Sequence, residues 1–342
     1  MKGYRSYRGR SGGRIVLTIL LSLTLIAACA FLFLQRYIVY GSDGVVRFDW
    51  PWGEEKEQEP PLKQEPELVL PEPPPEKTVP DTPPAQEPQE PEELHALALD
   101  ASALSGGVMD ALNAVERSGC NAAVVPLKLS DGALLYEPEA ARAVIEGLTI
   151  SDYHAVGRIT ALHDSAYARA HPAEAAVQQL AYPGVVWYDH DSTFWLAPEK
   201  AEARAYVARV AADAAALGFD ELLFDAFSYP PFEGNRINNI DTSKRTMTQE
   251  EALALLSGEL RAAVGEDVIL SVELSGKTIL SGGDKTMGQS LPALAEAFDR
   301  VYAVTTEEEV AALEAALAPY RAELVPILPA PRTNGAYLCT FD

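Results

Sequence analysis

The residues able to do chemistry in this chain stand at the ends of apolar runs. Asp100, Lys128 with Asp131, His163 with Asp164, Asp225 and Glu273 each close or follow a hydrophobic stretch. Asp225 is the most informative. It ends the run Leu222-Leu223-Phe224 and precedes Ala226-Phe227-Ser228-Tyr229-Pro230-Pro231-Phe232, a loop rich in aromatics and prolines. A carboxylate in that setting is costly unless it caps a turn or takes part in chemistry. Glu273 is a second carboxylate placed in the same way, and two carboxylates can divide proton transfer between an acid and a base. Trp187, Tyr188, Trp195 and Tyr229 offer flat apolar faces with polar rims, suited to pyranose rings and equally suited to core packing. The five histidines show no metal spacing, and the three cysteines form no CxxC pair, so neither a metal nor another cofactor is expected. Ser105-Gly106-Gly107 is too short for a dinucleotide fingerprint. Gly276-Lys277-Thr278 lacks the earlier glycine of a P-loop, Ser271 standing there.

The elements that would position these groups alternate between strand and helix patterns. Strands are expected at Leu94–Leu99, Asn121–Leu129, Tyr153–Leu162, Glu221–Asp225, Val268–Leu274, Val301–Val304, Leu324–Leu328 and Ala336–Thr340. Between them run helical patterns: one closing at Gly119, then Glu137–Leu148, Pro198–Leu217, one beginning at Thr248, Leu291–Phe298, and one opening at Thr306. Thr248-Gln249-Glu250-Glu251 and Thr306-Glu307-Glu308-Glu309 match capping boxes. Eight strands alternating with helices over residues 94–342 give the count and length of a (β/α)8 TIM-type barrel, with a doubly wound sheet as the alternative. In such a barrel the C-terminal strand ends carry the site.

The rest of the chain is of other kinds. Residues 1–14 form a basic tail, and residues 15–34 run without a charge, enough at ~1.5 Å per residue to cross a ~30 Å hydrocarbon layer. Positive charge before that span places the N-terminus in the cytoplasm and the remainder outside the cell membrane. The expectation is a single-pass signal anchor. A lipidated Cys29, after Ile26-Ala27-Ala28, is the rival and also leaves the protein membrane-bound. Residues 35–50 read as a short hairpin-like stub. Residues 51–93 hold 13 of the 25 prolines and 13 acids against three lysines, a disordered, self-repelling linker that at ~3.1 Å per residue reaches roughly 130 Å. The chain has 342 residues and a net charge of −23. That field repels polyphosphate backbones and argues against a nucleic-acid partner.

On these motifs residues 95–342 resemble the glycoside-hydrolase-like barrels found on the surface of Gram-positive bacteria, relatives of the α-amylase-like glycosidases. The resemblance rests on Val124-Val125-Pro126-Leu127-Lys128, Val156-Gly157-Arg158-Ile159 with His163-Asp164, Trp187-Tyr188-Asp189 with Trp195-Leu196-Ala197-Pro198, and most distinctively Leu217-Gly218-Phe219-Asp220-Glu221 through Asp225. It implies a nucleophile at Asp225 and a general acid at Glu273. It implies polysaccharide contacts from Lys128, Arg158, Asp164, Trp187, Tyr188, Trp195 and Tyr229. The pattern is incomplete. The family aspartates before Lys128 and Pro198 are Pro126 and Ala197, and the arginine two residues before the nucleophile is Leu223. The seventh strand offers no acid. These losses imply weak or absent hydrolysis unless Lys128 or Arg158 compensates, with glycan binding surviving through the aromatic loops. Two functions therefore stand: a membrane-anchored glycosidase acting on envelope or extracellular polysaccharide, and a non-catalytic carbohydrate-binding or envelope-organising barrel. A Glu273 side chain turned away from Asp225 would remove the first.

Overall fold

The computed structural model describes residues 38–40, 46–48, 93–231 and 239–340. Backbone contacts divide the chain into two units, Met1–Pro83 and Pro84–Asp342. In the first, Ile38–Tyr40 and Val46–Phe48 pair antiparallel, Ile38 opposite Phe48, as expected for strands flanking Gly41-Ser42-Asp43-Gly44. The basic tail, the apolar span at 15–34 with Cys29, and the linker up to residue 92 lie outside the described residues. Among those described, no helix is long and apolar enough to cross a membrane.

The second unit is a closed barrel of eight parallel strands. They are β1 (His95–Ala98), β2 (Ala122–Lys128), β3 (His154–Thr160), β4 (Glu221–Asp225), β5 (Ile269–Glu273), β6 (Arg300–Val304), β7 (Glu323–Leu328) and β8 (Tyr337–Cys339). Each pairs with the next in sequence, and β8 closes onto β1 with Tyr337 opposite His95. The doubly wound alternative is excluded by this closure. Helices α1 (Val108–Ser118), α2 (Glu139–Thr149), α3 (Ser165–Ala170), α4 (Ala201–Ala215), α5 (Gln249–Val264), α6 (Gly276–Leu280), α7 (Leu291–Ala297) and α8 (Glu307–Leu317) fill every connection except β7 to β8.

Period-two alternation along the strands sorts the core into two clusters. Inward residues such as Ala96, Val124, Val156, Leu223, Tyr302, Val325 and Leu338 pack on one another inside the barrel. Outward residues such as Val125, Ile159, Leu222, Phe224, Leu270 and Val301 pack beneath the helices. Gly157 belongs to the outward set. A Cβ there would meet Leu127 at 2.6 Å and Leu222 at 3.0 Å, so glycine is needed for this close packing.

Local signals account for the helix ends. α1 stops at Gly119, which takes the left-handed conformation (φ +70°) that glycine adopts without strain. α4 begins at Ala201, three residues after Pro198. α5 carries the full capping box: Glu251 N–H donates to Thr248 Oγ1 at 3.1 Å, and Thr248 N–H donates to the Glu251 carboxylate at 2.7 Å. Thr248→Ala should therefore cost about 1 kcal/mol in a denaturant melt, with an unchanged m-value. The second box does not form. The Thr306 side chain makes no cap bond, and Thr305 Oγ1 instead donates to Glu309 at 3.1 Å.

Candidate active site

Inward positions repeat every second residue, so the polar ones stack in layers along the barrel axis. At the C-terminal mouth these are Arg158 on β3, Asp225 on β4 and Glu273 on β5, on three consecutive strands. Val156, Leu223 and Tyr302 belong to the apolar cluster that fills the barrel interior beside and below them. At the N-terminal end Glu221 is fully buried. It accepts from His154 Nε2 at 2.9 Å, from Ser271 Oγ at 2.5 Å and from Arg300.

In the upper layer one guanidinium holds both carboxylates. Arg158 Nε donates to Asp225 Oδ2 at 2.6 Å and its Nη2 to Glu273 Oε2 at 2.8 Å. Glu273 thus faces Asp225 across a single side chain, and the orientation that would have removed the enzyme reading is absent. Arg158 lies directly opposite Leu223 in the β3–β4 register. A guanidinium therefore stands opposite Leu223 on the neighbouring strand, from one of the two residues named above as able to compensate. Burial opposes the Arg158 charge, but Asp225 and Glu273 outweigh it and hold the guanidinium above its usual range. Glu273 is pushed above the ordinary glutamate value, first by burial and further by Asp225, against the pull of Arg158. A raised carboxyl pKa is the direction that suits a general acid.

The turn after Asp225 is strained. Ala226 has φ +46°, one of two non-glycine residues with positive φ among those described. Backbone strain of this kind costs of order 1–3 kcal/mol and clusters at functional sites. Here it turns the chain sharply at the mouth. Nothing in an alanine signals it in advance.

Lys128 and Asp164 stand elsewhere than expected. Lys128 is 2% exposed and Asp164 fully buried. Lys128 Nζ donates to Thr160 O at 2.6 Å and pairs with Asp164 at 3.0 Å. Asp164 also accepts from Tyr206 Oη at 2.8 Å and caps α3 through Tyr167 N–H. Both are committed to each other below the surface, so the sugar contact expected of them is corrected to a structural ion pair. Burial lowers the Lys128 pKa although Asp164 supports its charge.

Most of the expected aromatic platform is likewise buried. Trp187, Trp195 and Tyr229 are 4%, 5% and 1% exposed. Trp195 stacks on His163 with ring centroids 4.4 Å apart, and its Nε1 donates to Asp189 at 2.9 Å. Tyr229 Oη donates to Glu199 at 2.6 Å, under the Arg245 guanidinium. These three rings organise the loops. Tyr188 alone of the four is exposed. Asp189 accepts from Asp191 N–H and Thr193 N–H and is a polar turn. Among the described residues no group of His, Cys, Asp and Glu is placed to hold a metal ion, and Cys120 and Cys339 are free, buried thiols.

The model of a family described as "Putative glycosyl hydrolase domain" matches residues 98–305. The chain belongs to this glycosyl hydrolase domain family. No curated protein sequence matches it. Among solved structures, a hypothetical protein from Ruminiclostridium thermocellum is similar at 22% identity, over 52% of this chain and 96% of that one, with a TM-score of 0.45. The glycoside hydrolase domain of PelA from Pseudomonas aeruginosa is similar at 14% identity, over 70% and 84%, with a TM-score of 0.41. An alpha-amylase from Lactobacillus plantarum is similar at 13% identity, over 68% and 62%, with a TM-score of 0.44.

For this glycosyl hydrolase domain, the distinctive motif at 217–225 now has a physical account. Gly218 (φ +89°) turns the chain out of α4. Asp220 accepts from Ala155 N–H at 2.8 Å and fixes β4 to β3. Glu221 closes the barrel floor, and Asp225 emerges at the mouth four residues later, on the same face. Sequence reasoning named Asp225, Glu273 and Arg158, which the fold brings into contact. It missed Glu221, which reads as an ordinary strand start, and Tyr206, which is one ring on an alanine-rich helix.

Proposed function

We propose that the protein is a membrane-tethered glycoside hydrolase acting on cell-envelope or extracellular polysaccharide. Asp225 serves as nucleophile, or as base in an inverting reaction, and Glu273 as general acid. The observation that carries this reading is the single Arg158 guanidinium shared by the two carboxylates at the mouth of a closed barrel. Arg158 keeps a positive charge beside Asp225, while burial and Asp225 favour the protonated form of Glu273. The two carboxyls thus meet different environments, which is how one site supplies both an acid and a nucleophile. The non-catalytic reading relied on an aromatic binding surface, and three of its four rings lie in the core. Residues 15–34 would anchor the chain, and the linker at 51–93 would let the barrel reach substrate away from the membrane.

The test is release of new reducing ends by the full chain from a panel of wall, capsule and matrix glycans. Asp225→Asn should lower turnover roughly 10³-fold or more. Because the Glu273 pKa is raised, the acid stays protonated above the ordinary glutamate range, and kcat should fall as pH rises through that raised value. Glu273→Gln should remove this alkaline limb along with most of the rate. Turnover that Asp225→Asn leaves intact would overturn the assignment.

A further inference from the structure

On the C-terminal face, the sector after β6 and β7 contains a cavity of 590 Å³. That is within the ~300–1,000 Å³ typical of small-molecule sites. Its room comes from a missing element, because residues 329–336 pass from β7 to β8 without a helix to cover that sector. Strand order sets it after β6, the neighbour of the strand that carries Glu273. β6 leads into its wall at Thr305 and is hydrogen-bonded to β5, with Tyr302 opposite Glu273.

The lining fits a hydroxylated ring. Thr306 and Asn334 bring a hydroxyl and an amide, and Pro329 and Pro331 bring apolar faces for the C–H side of a sugar. Charge then narrows the choice. Glu307 and Glu308 line the cavity, and Arg332 is the one cation among the described residues of its lining. Its guanidinium is divided between Glu307 at 3.4 Å and Glu314 at 3.5 Å. Two carboxylates against one guanidinium leave the lining one charge negative, the same sign as two carboxylates on Arg158 and as the chain's charge of −23. Uronates and glycan phosphodiesters would be repelled, and an ammonium would be drawn in.

We infer that this cavity is a subsite for an amino sugar bearing a free amine, a substrate preference that rests on the glycosidase reading. The matched family region ends at residue 305, so nearly all of the subsite is built by residues beyond it.

The experiment is calorimetric titration of the full chain carrying Asp225→Asn, which prevents turnover. The probes are partly deacetylated chito-oligosaccharides, their fully acetylated counterparts and oligogalacturonate, at low and high salt. The deacetylated oligomer should bind at least about tenfold more tightly than the other two, with the advantage shrinking in high salt. Adding Glu307→Gln with Glu308→Gln should erase that preference. The exposed substitution Asn334→Lys should do the same by like-charge repulsion, which guards against a folding defect in the double variant. Equal binding of oligogalacturonate, or a preference that survives both changes, would overturn the subsite. Hydrolysis of a neutral glycan that Asp225→Asn abolishes, with no amine preference, would overturn it while leaving the glycosidase reading intact.

Discussion

Replacing Arg158 by methionine should lower kcat for glycan hydrolysis by about 10²–10³, some 3–4 kcal/mol, with a smaller change in KM. The guanidinium lies between Asp225 and Glu273, so its charge bears on the groups whose ionisation changes as the glycosidic bond breaks. Removing it leaves two carboxylates facing one another, which raises the proton affinity of the pair and takes away the anion that must attack. The register gives a second arm. Arg158 and Leu223 are directly opposite, both inward. The double change Arg158→Leu with Leu223→Arg moves the arginine to the strand of Asp225, where α-amylase-like enzymes are expected to carry it. Partial recovery, to within about tenfold of the parent, is expected in steady-state assays. If Arg158→Met turns over at the parent rate, the guanidinium is only a strut. If the swap recovers nothing, the geometry of β3 matters beyond charge.

That register also explains what could be read from the sequence and what could not. The eight strands were legible because inward and outward residues are both apolar over most of their length, leaving short hydrophobic runs between well-marked helix stops such as Gly119 and Gly218. The candidate carboxylates were legible because Asp225 and Glu273 end such runs. Arg158 was legible only as one of two residues able to compensate for Leu223, because choosing it over Lys128 needs the lateral alignment of β3 with β4, a contact between residues 65 positions apart. Burial of individual side chains was the other blind spot. Lys128 and Asp164 have the residue types of a rim pair. Only the third partner, Tyr206 on α4, shows that the pair sits under the loops, satisfied by hydrogen bonds that no linear pattern reveals. Trp187, Trp195 and Tyr229 were ambiguous for the same reason, since a ring that could face a sugar could equally hold a loop.

The floor of the barrel should dominate stability as the mouth dominates activity. Glu221 is fully buried and takes hydrogen bonds from His154, Ser271 and Arg300, so Glu221→Gln removes the buried charge opposite Arg300 and leaves that guanidinium only the longer pair with Glu323 at 3.5 Å. Breaking a buried pair on one side costs about 3–5 kcal/mol. For a domain of this size, that lowers the melting temperature by about 10 °C. Burial alone would raise the Glu221 pKa, but His154, Arg300 and Ser271 more than offset it and hold the carboxyl below its ordinary 4.5. A depressed folded-state value gives a contribution that is fully present above the unfolded pKa and lost as pH falls through the folded one. The parent should therefore lose stability steeply on acidification below the ordinary glutamate range, while Glu221→Gln, already lacking the titrating group, should show a flatter profile there. Thermal melts followed by circular dichroism, at about pH 7 and in steps below about pH 4.5, would measure both effects. A deficit under about 1 kcal/mol would mean that water reaches Arg300 and replaces its partner, since a solvated ion pair contributes no more than that.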